Sequence, residues 1–365
     1  MLKTLLVCLS LLFAMQEVSA DVIEQTASMP TTFEHDSNPT LANTNKRPVN
    51  RIIATPRYKI ISSDGVKEMS ADLALSIERS SDQRARLDRE DPSMALAWKT
   101  DLPRGLLKLG ASYYQTSILT SELAENGLIQ SEGSRRNQNF NAEYTHFLTD
   151  RLSMSLNAGY SHVRYSGGEQ VNYQLPSASA TFNYQYNEVF TPFIQAAASR
   201  YQPDSNQPDT DYLSMTAGGT WQLSNRLDLT FNAGLNNIRA AQTDRGFQGE
   251  FRLKHVYERF VTTAGLARAI SPSGTGGFIE SDTLQAGIAY DLTNRSGIGS
   301  DFSARRNYGT NKSEYDQLNL FYRYEVTPEW DMRVNTQFRY RKDAADQTTN
   351  AKLLGLTLNY VHPKF

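Results

Sequence analysis

Apolar and polar side chains alternate one for one along most of this chain. In 330–341, Trp330, Met332, Val334, Thr336, Phe338 and Tyr340 share one phase. Asp331, Arg333, Asn335, Gln337, Arg339 and Arg341 share the other. Successive side chains of a β-strand point to opposite faces, so this segment reads as a strand with one apolar and one charged face. The pattern recurs at 226–236, where Leu227, Leu229, Phe231, Ala233 and Leu235 oppose Asp228, Thr230, Asn232, Gly234 and Asn236. It recurs at 151–161, with Leu152, Met154, Leu156, Ala158 and Tyr160 in the apolar phase, and at 247–254, where Phe247, Phe251 and Leu253 alternate with Gln248, Glu250, Arg252 and Lys254.

The connections set the topology. Tight turns rich in Asn, Asp and Pro are expected at 148–151, 186–188, 223–226, 257–259, 292–295 and 326–329. They alternate with longer polar stretches near 201–209, 238–245, 270–277, 306–311 and 341–348. Strands are expected near 28–36, 49–61, 67–79, 90–100, 104–115, 135–148, 151–164, 170–185, 189–201, 210–223, 226–238, 245–257, 259–270, 277–292, 295–306, 311–325, 328–341 and 349–362. That makes 18 strands, or 16 without the first two, which are the weakest of the set. A secreted β-sandwich also alternates, but its inner faces meet in one dry core. Many long strands, short turns at one end and aromatic residues closing the apolar phase (Tyr160, Tyr290, Tyr324, Tyr340) point instead to an all-β, transmembrane, antiparallel up-and-down barrel.

Composition sharpens this. Residues 1–20 carry Lys3, a short apolar run over 4–15 and the small-residue pattern Val18-Ser19-Ala20, as an export signal does. Cleavage is expected after Ala20, leaving 21–365 as a single barrel domain. The lone cysteine, Cys8, falls inside that signal, so the mature chain is expected to have no thiol chemistry and no disulfide. Leu5-Leu6-Val7-Cys8 imitates a lipidation box, but the apolar run continues past Cys8. Mean hydropathy is −0.52. No run of 18 apolar residues follows residue 20, so no helix of the mature chain reads as a membrane span. A formal net charge of −2 leaves no basic footprint for nucleic acid.

Candidate chemistry lies in the polar phase, which turns Arg252, Lys254, Arg323, Arg333, Arg339 and Arg341 toward the barrel interior; Arg305-Arg306 lie near the outer end of a strand. Two readings are open. A cationic ladder would favour anionic solutes. A structural network would use the same cations against Glu143, Glu250, Asp228, Asp291, Glu325 and Asp331. The longest external loop, 116–134, holds Leu123 and Leu128 beside Glu122 and Glu125, apolar residues that a freely exposed loop would not keep. It either folds into the pore as a constriction or packs on the rim. Of five histidines, His146, His162, His255 and His362 have no partner at a catalytic spacing. His35, in Glu34-His35-Asp36-Ser37-Asn38, is the one local cluster with carboxylates, and a solvated strand end accounts for it better than a metal site. No catalytic, cofactor or metal site is expected, and no enzymatic activity.

The last strand, with Leu354, Leu356, Leu358 and Tyr360 in its apolar phase, ends in Phe365. A terminal aromatic of this kind resembles the signal read by the outer-membrane assembly machinery. Pro363 stands where an aromatic is common, and Phe365 is out of phase unless a bulge at His362-Pro363 restores it. The run 120–128 (TSELAENGL), with 33–39 (FEHDSNP), Phe140-Asn141-Ala142-Glu143-Tyr144 and 148–153, resembles a family of large outer-membrane β-barrel proteins that includes barrels of exopolysaccharide export clusters. The resemblance covers nearly all of the mature chain, and only 120–128 and 33–39 are specific within it. It implies a Gram-negative outer-membrane barrel in contact with outer-membrane lipids. Its function would be a channel for an extracellular polysaccharide or for polar solutes, with polysaccharide export components as partners. A non-conducting scaffold barrel is the other reading.

Overall fold

The computed structural model describes residues 22–362 apart from 127–131, 168–169, 241–242 and 310–311; at 124–126 it describes the backbone alone. The export-signal segment, Leu128 and Phe365 therefore lie outside the described residues.

The alternating segments form β1 (Val22–Asp36), β2 (Val49–Ala54), β3 (Arg57–Ser63), β4 (Lys67–Ser80), β5 (Arg89–Leu102), β6 (Gly105–Ser117), β7 (Ser134–Phe147), β8 (Leu152–Ser166), β9 (Tyr173–Tyr184) and β10 (Phe190–Pro203). They continue as β11 (Thr210–Ser224), β12 (Leu227–Arg239), β13 (Thr243–Tyr257), β14 (Phe260–Pro272), β15 (Phe278–Asp291), β16 (Ser296–Asn307), β17 (Ser313–Thr327), β18 (Trp330–Lys342) and β19 (Thr348–Val361). A helix, α1 (Ile118–Asn126), lies between β6 and β7.

Apart from β2 and β3, each strand pairs antiparallel with its chain neighbours, and β1 pairs with β19 to close the sheet. β2 and β3 together form one stave: β1 and β4 each pair with both. Thr55 and Pro56 interrupt that stave, because proline has no N–H to give to a ladder. Nineteen strands, two of them sharing one position, make the 18-strand closed barrel that the alternation predicts. β1 starts at Val22 and not at 28; its extra turn of strand pairs with β3 from Val22↔Ser63 to Ala27↔Tyr58. Val22 and Ile23 stand side by side there, which breaks the dyad and hid this part of the strand.

Short turns gather at one end of the barrel with both ends of the described chain, and longer connections at the other. In the 64–66 turn, the Asp64 carboxylate accepts from the backbone N–H groups of Val66 (2.8 Å) and Lys67 (2.6 Å). These two donors hold its carboxyl below the usual carboxylate range. At the short-turn end the outward face is aromatic: Phe260 packs on Tyr290 with ring centroids 4.6 Å apart, and Trp330 on Tyr360 at 5.0 Å. Mid-strand outward positions are large and apolar, such as Leu266 and Ile288, and stand exposed. The inward face carries small polar and charged side chains.

An outward mid-strand position is therefore where a charge should be costly. In phosphatidylcholine vesicles, Leu266→Arg should lower unfolding free energy by about 2–4 kcal/mol, whereas inward Thr263→Arg should change it little. Equal urea midpoints for the two variants would contradict this assignment of faces.

Candidate functional site

The lumen is narrowed by α1, and its sequence explains how. Ser117 Oγ accepts from Thr120 N at the N-terminus of the helix (3.4 Å), an N-cap contact. Leu119 and Leu123, four apart, share one helical face. Ile118, Leu119 and Leu123 are all buried. Leu123 packs with Leu41, Tyr315 and Ala351. These belong to the β1–β2 connection, β17 and β19, so the helix reaches from its own strands β6 and β7 across to another sector of the wall. Leu123 thus packs on inward-facing side chains.

Charges hold the helix as much as apolar contact does, because the inward face of a barrel strand is the polar phase. Glu122 is fully buried. Its Oε1 accepts from Tyr165 Oη of β8 at 2.9 Å and lies 3.9 Å from Arg135 Nη1 of β7. A carboxylate removed from water in this way needs such partners. Arg86, from the β4–β5 connection, is the second clamp. Its guanidinium donates to Glu78 (3.0 Å), Ser117 (3.2 Å), Glu132 (3.2 Å) and Thr120 (2.5 Å). Arg51 joins Glu78 (2.9 Å) to Glu34 (2.5 Å) across β2, β4 and β1. Beside the helix remains a chamber of 410 Å³. Glu34, Arg51, Glu78 and Arg86 line one side of it, and Ile53, Leu123 and Leu353 supply apolar surface.

The six cations of the inward phase do not form one ladder. Register places all six on the lumen face. Arg339 is sealed: Asp36 accepts both contacts from its Nη2 at 2.6 Å, and the two side chains are only 8% and 1% exposed. Arg252 pairs with Glu250, and Arg323 with Asp291. Arg333 lies over the ring of Phe321 at 4.1 Å. Phe321 fits against the wall there because its neighbour Gly299 has no Cβ; one would come within 2.3 Å of the ring. Among the described residues, Arg333 and Lys254 form no ion pair. Arg305 and Arg306 part company, with Arg306 on the outer face against Asp316 (2.6 Å).

Two clusters read from sequence separate in space. Glu34 and Asp36 face the lumen, while His35 faces outward and hydrogen-bonds Asn50 (Nδ1 to Oδ1, 2.7 Å). Strand alternation alone parts that histidine from its flanking carboxylates. In 116–134, Glu122 and Leu123 take the places described; the side chain of Glu125 lies outside the described atoms. Sequence reasoning missed Arg51, Glu78 and Arg86. Arg86 sits in a connection where phase has no meaning, and the partners of Arg51 are cross-strand.

A closed 18-strand barrel with an apolar outer face, a polar lumen and an inward-folded loop is the architecture of outer-membrane porin-like proteins. No family model and no curated protein matches the sequence. Solved structures do match. The outer membrane protein OpdK from Pseudomonas aeruginosa is 12% identical, covering 94% of this chain and 99% of its own, with a TM-score of 0.55. OccAB4 from Acinetobacter baumannii is 9% identical over 94% and 98%, at 0.53. OccK3 (OpdO) from P. aeruginosa is 11% identical over 93% and 95%, at 0.52. At these identities the likeness is one of fold, and it lends no support to kinship with exopolysaccharide-export barrels.

If the Arg86 clamp holds α1, replacing it should release the helix without opening the barrel. Arg86→Met removes the cation from a buried cluster, a change that typically costs about 3–5 kcal/mol. Amide exchange over 118–123 should accelerate strongly while exchange in β14–β16 stays as in the parent. Unchanged protection at 118–123 would rule the clamp out.

Proposed function

We propose that this chain is an outer-membrane channel for diffusion of small polar solutes, with its short turns in the periplasm. The observation that carries this is the lumen: an 18-strand barrel is wide enough for water, and here a docked helix narrows it to a chamber. On the short-turn side of α1 a second inward cavity of 690 Å³ is lined by Ser28, Arg57, Asp72, Arg333 and Asn359 among others. The wall of β8–β11 is neutral, with inward Ser155, Asn157, Ser179, Gln195 and Thr216. The cations and carboxylates lie on the remaining wall.

The fold has a precedent for a small solute, since OpdK has been crystallised with vanillate. A helix anchored in two sectors of the wall favours solutes of that size over a polymer, so polysaccharide export loses ground. Three of the six lumen cations are neutralised by carboxylates. Of those six, Arg333, Lys254 and Arg341 are the ones left to favour anions. Phe365 remains the proposed contact with the assembly machinery.

Two measurements test this. The refolded barrel should give discrete single-channel conductance in planar bilayers, and replacing 118–131 by a short Gly-Ser turn should raise it several-fold. A silent bilayer would instead favour a non-conducting scaffold. Arg333→Gln combined with Lys254→Gln should move the reversal potential in a salt gradient toward cations; an unmoved potential would make those two residues structural.

A further inference from the structure

The outer face of the barrel is chemically different at its two ends. At the short-turn end it is aromatic. At the loop end it is rich in arginine, and most of these arginines face an acid directly across the ladder. Arg200 stands opposite Asp211 at 2.6 Å, Arg268 opposite Asp282 at 2.6 Å, and Arg306 opposite Glu314 at 3.4 Å.

One pair breaks the pattern. Arg136 of β7 stands opposite Arg164 of β8, both exposed. Like charges directly opposite are destabilising, with Cβ atoms roughly 5 Å apart. Their only described polar contacts are neutral: Arg136 Nε donates to Gln115 Oε1 (3.0 Å) and Arg164 Nε to His162 Nε2 (3.1 Å). Among the described residues neither forms an ion pair. Both Nε groups are thus engaged, and neither guanidinium terminus has a carboxylate to meet. Four residues down the same face, Phe140 stands opposite Tyr160, exposed and apolar.

We propose that Arg136 and Arg164 grip a phosphate-bearing lipid headgroup of the leaflet at the loop end, with an acyl chain lying over Phe140. Two guanidiniums side by side match a phosphate through charge-assisted, forked hydrogen bonds. The partner resolves a repulsion that the protein leaves unanswered here and answers with Asp or Glu elsewhere on the same rim. The position fits a lipid better than a soluble anion, because on the same outward face, below the polar Gln138–His162 pair, lies the apolar Phe140–Tyr160 pair. This rests on the membrane placement proposed above.

The experiment uses the full barrel folded in dodecylmaltoside and native mass spectrometry, with diphosphorylated lipid A and its dephosphorylated form as probes. The parent should prefer the phosphorylated lipid by about tenfold, as expected from losing charge-assisted hydrogen bonds. R136Q/R164Q should abolish that preference, R136K/R164K should retain only part of it, and R200Q should leave it intact. Equal binding of both lipids by the parent overturns the proposal, as does an unchanged preference in R136Q/R164Q. Displacement of the lipid by millimolar inorganic phosphate would assign the pair to a free anion and overturn the lipid occupant. If R136Q/R164Q fails to fold, judged by heat-modifiable gel migration, the two-lipid comparison on the parent and on R136K/R164K decides. A barrel that inserts into phosphatidylcholine vesicles but shows no phosphate preference sinks this inference alone. A chain that does not insert sinks the membrane placement itself.

Discussion

Hydrocarbon offers no hydrogen bonds, so every N–H and C=O of a lipid-facing strand has to find its partner in a neighbouring strand. An open sheet leaves two edges unsatisfied. The ladder between β1 and β19, from Ser28↔Val361 to Asp36↔Leu353, removes both edges at once. The rest of the molecule depends on that closure. It gives the apolar phase a single outside and the polar phase a single inside. With 18 staves it also leaves an interior that side chains alone do not fill.

Filling that interior partway is a problem of charge more than of apolar packing. A helix entering the lumen meets the polar phase of every strand it approaches. α1 accordingly carries a small apolar contact at Leu123 and a larger set of ionic ones through Glu122 and the Arg86 cluster. Buried ion pairs are costly to desolvate, and they stabilise only when fully partnered. Arg86, with four partners, meets that condition, whereas Arg339 meets it only through Nη2 to Asp36, its buried Nε having no partner among the described residues. Such a contact set tolerates removal of one partner poorly.

The alternation of residues made the barrel legible, since phase depends on nothing but the chain itself. It put Arg333 and Lys254 on the inner face and Leu266 on the outer face without knowledge of any neighbour. Pairings that depend on register were not legible. Asp36 and Arg339 lie at opposite ends of the sequence, so no local pattern could tell that this cation is spoken for. The facing of Arg136 and Arg164 depends on which residue of β8 meets which residue of β7. The helix was a different kind of miss: Ser117 and the four-residue spacing of Leu119 and Leu123 are present, but nine helical residues inside a β meander look like loop from sequence alone. The cluster Glu34-His35-Asp36 was close in sequence and parted by the pleat.

The latch on Leu123 draws Leu41 from the first connection and Tyr315 and Ala351 from the last strands. A chain made from its N-terminus has α1 and Leu41 long before those two partners exist. Even a finished chain lacks the latch until β19 has zipped onto β1. The apolar latch is thus completed only when the sheet closes, whereas the ionic anchors of α1, Glu122 with Tyr165 and Arg86 with Glu78, need only β4–β8.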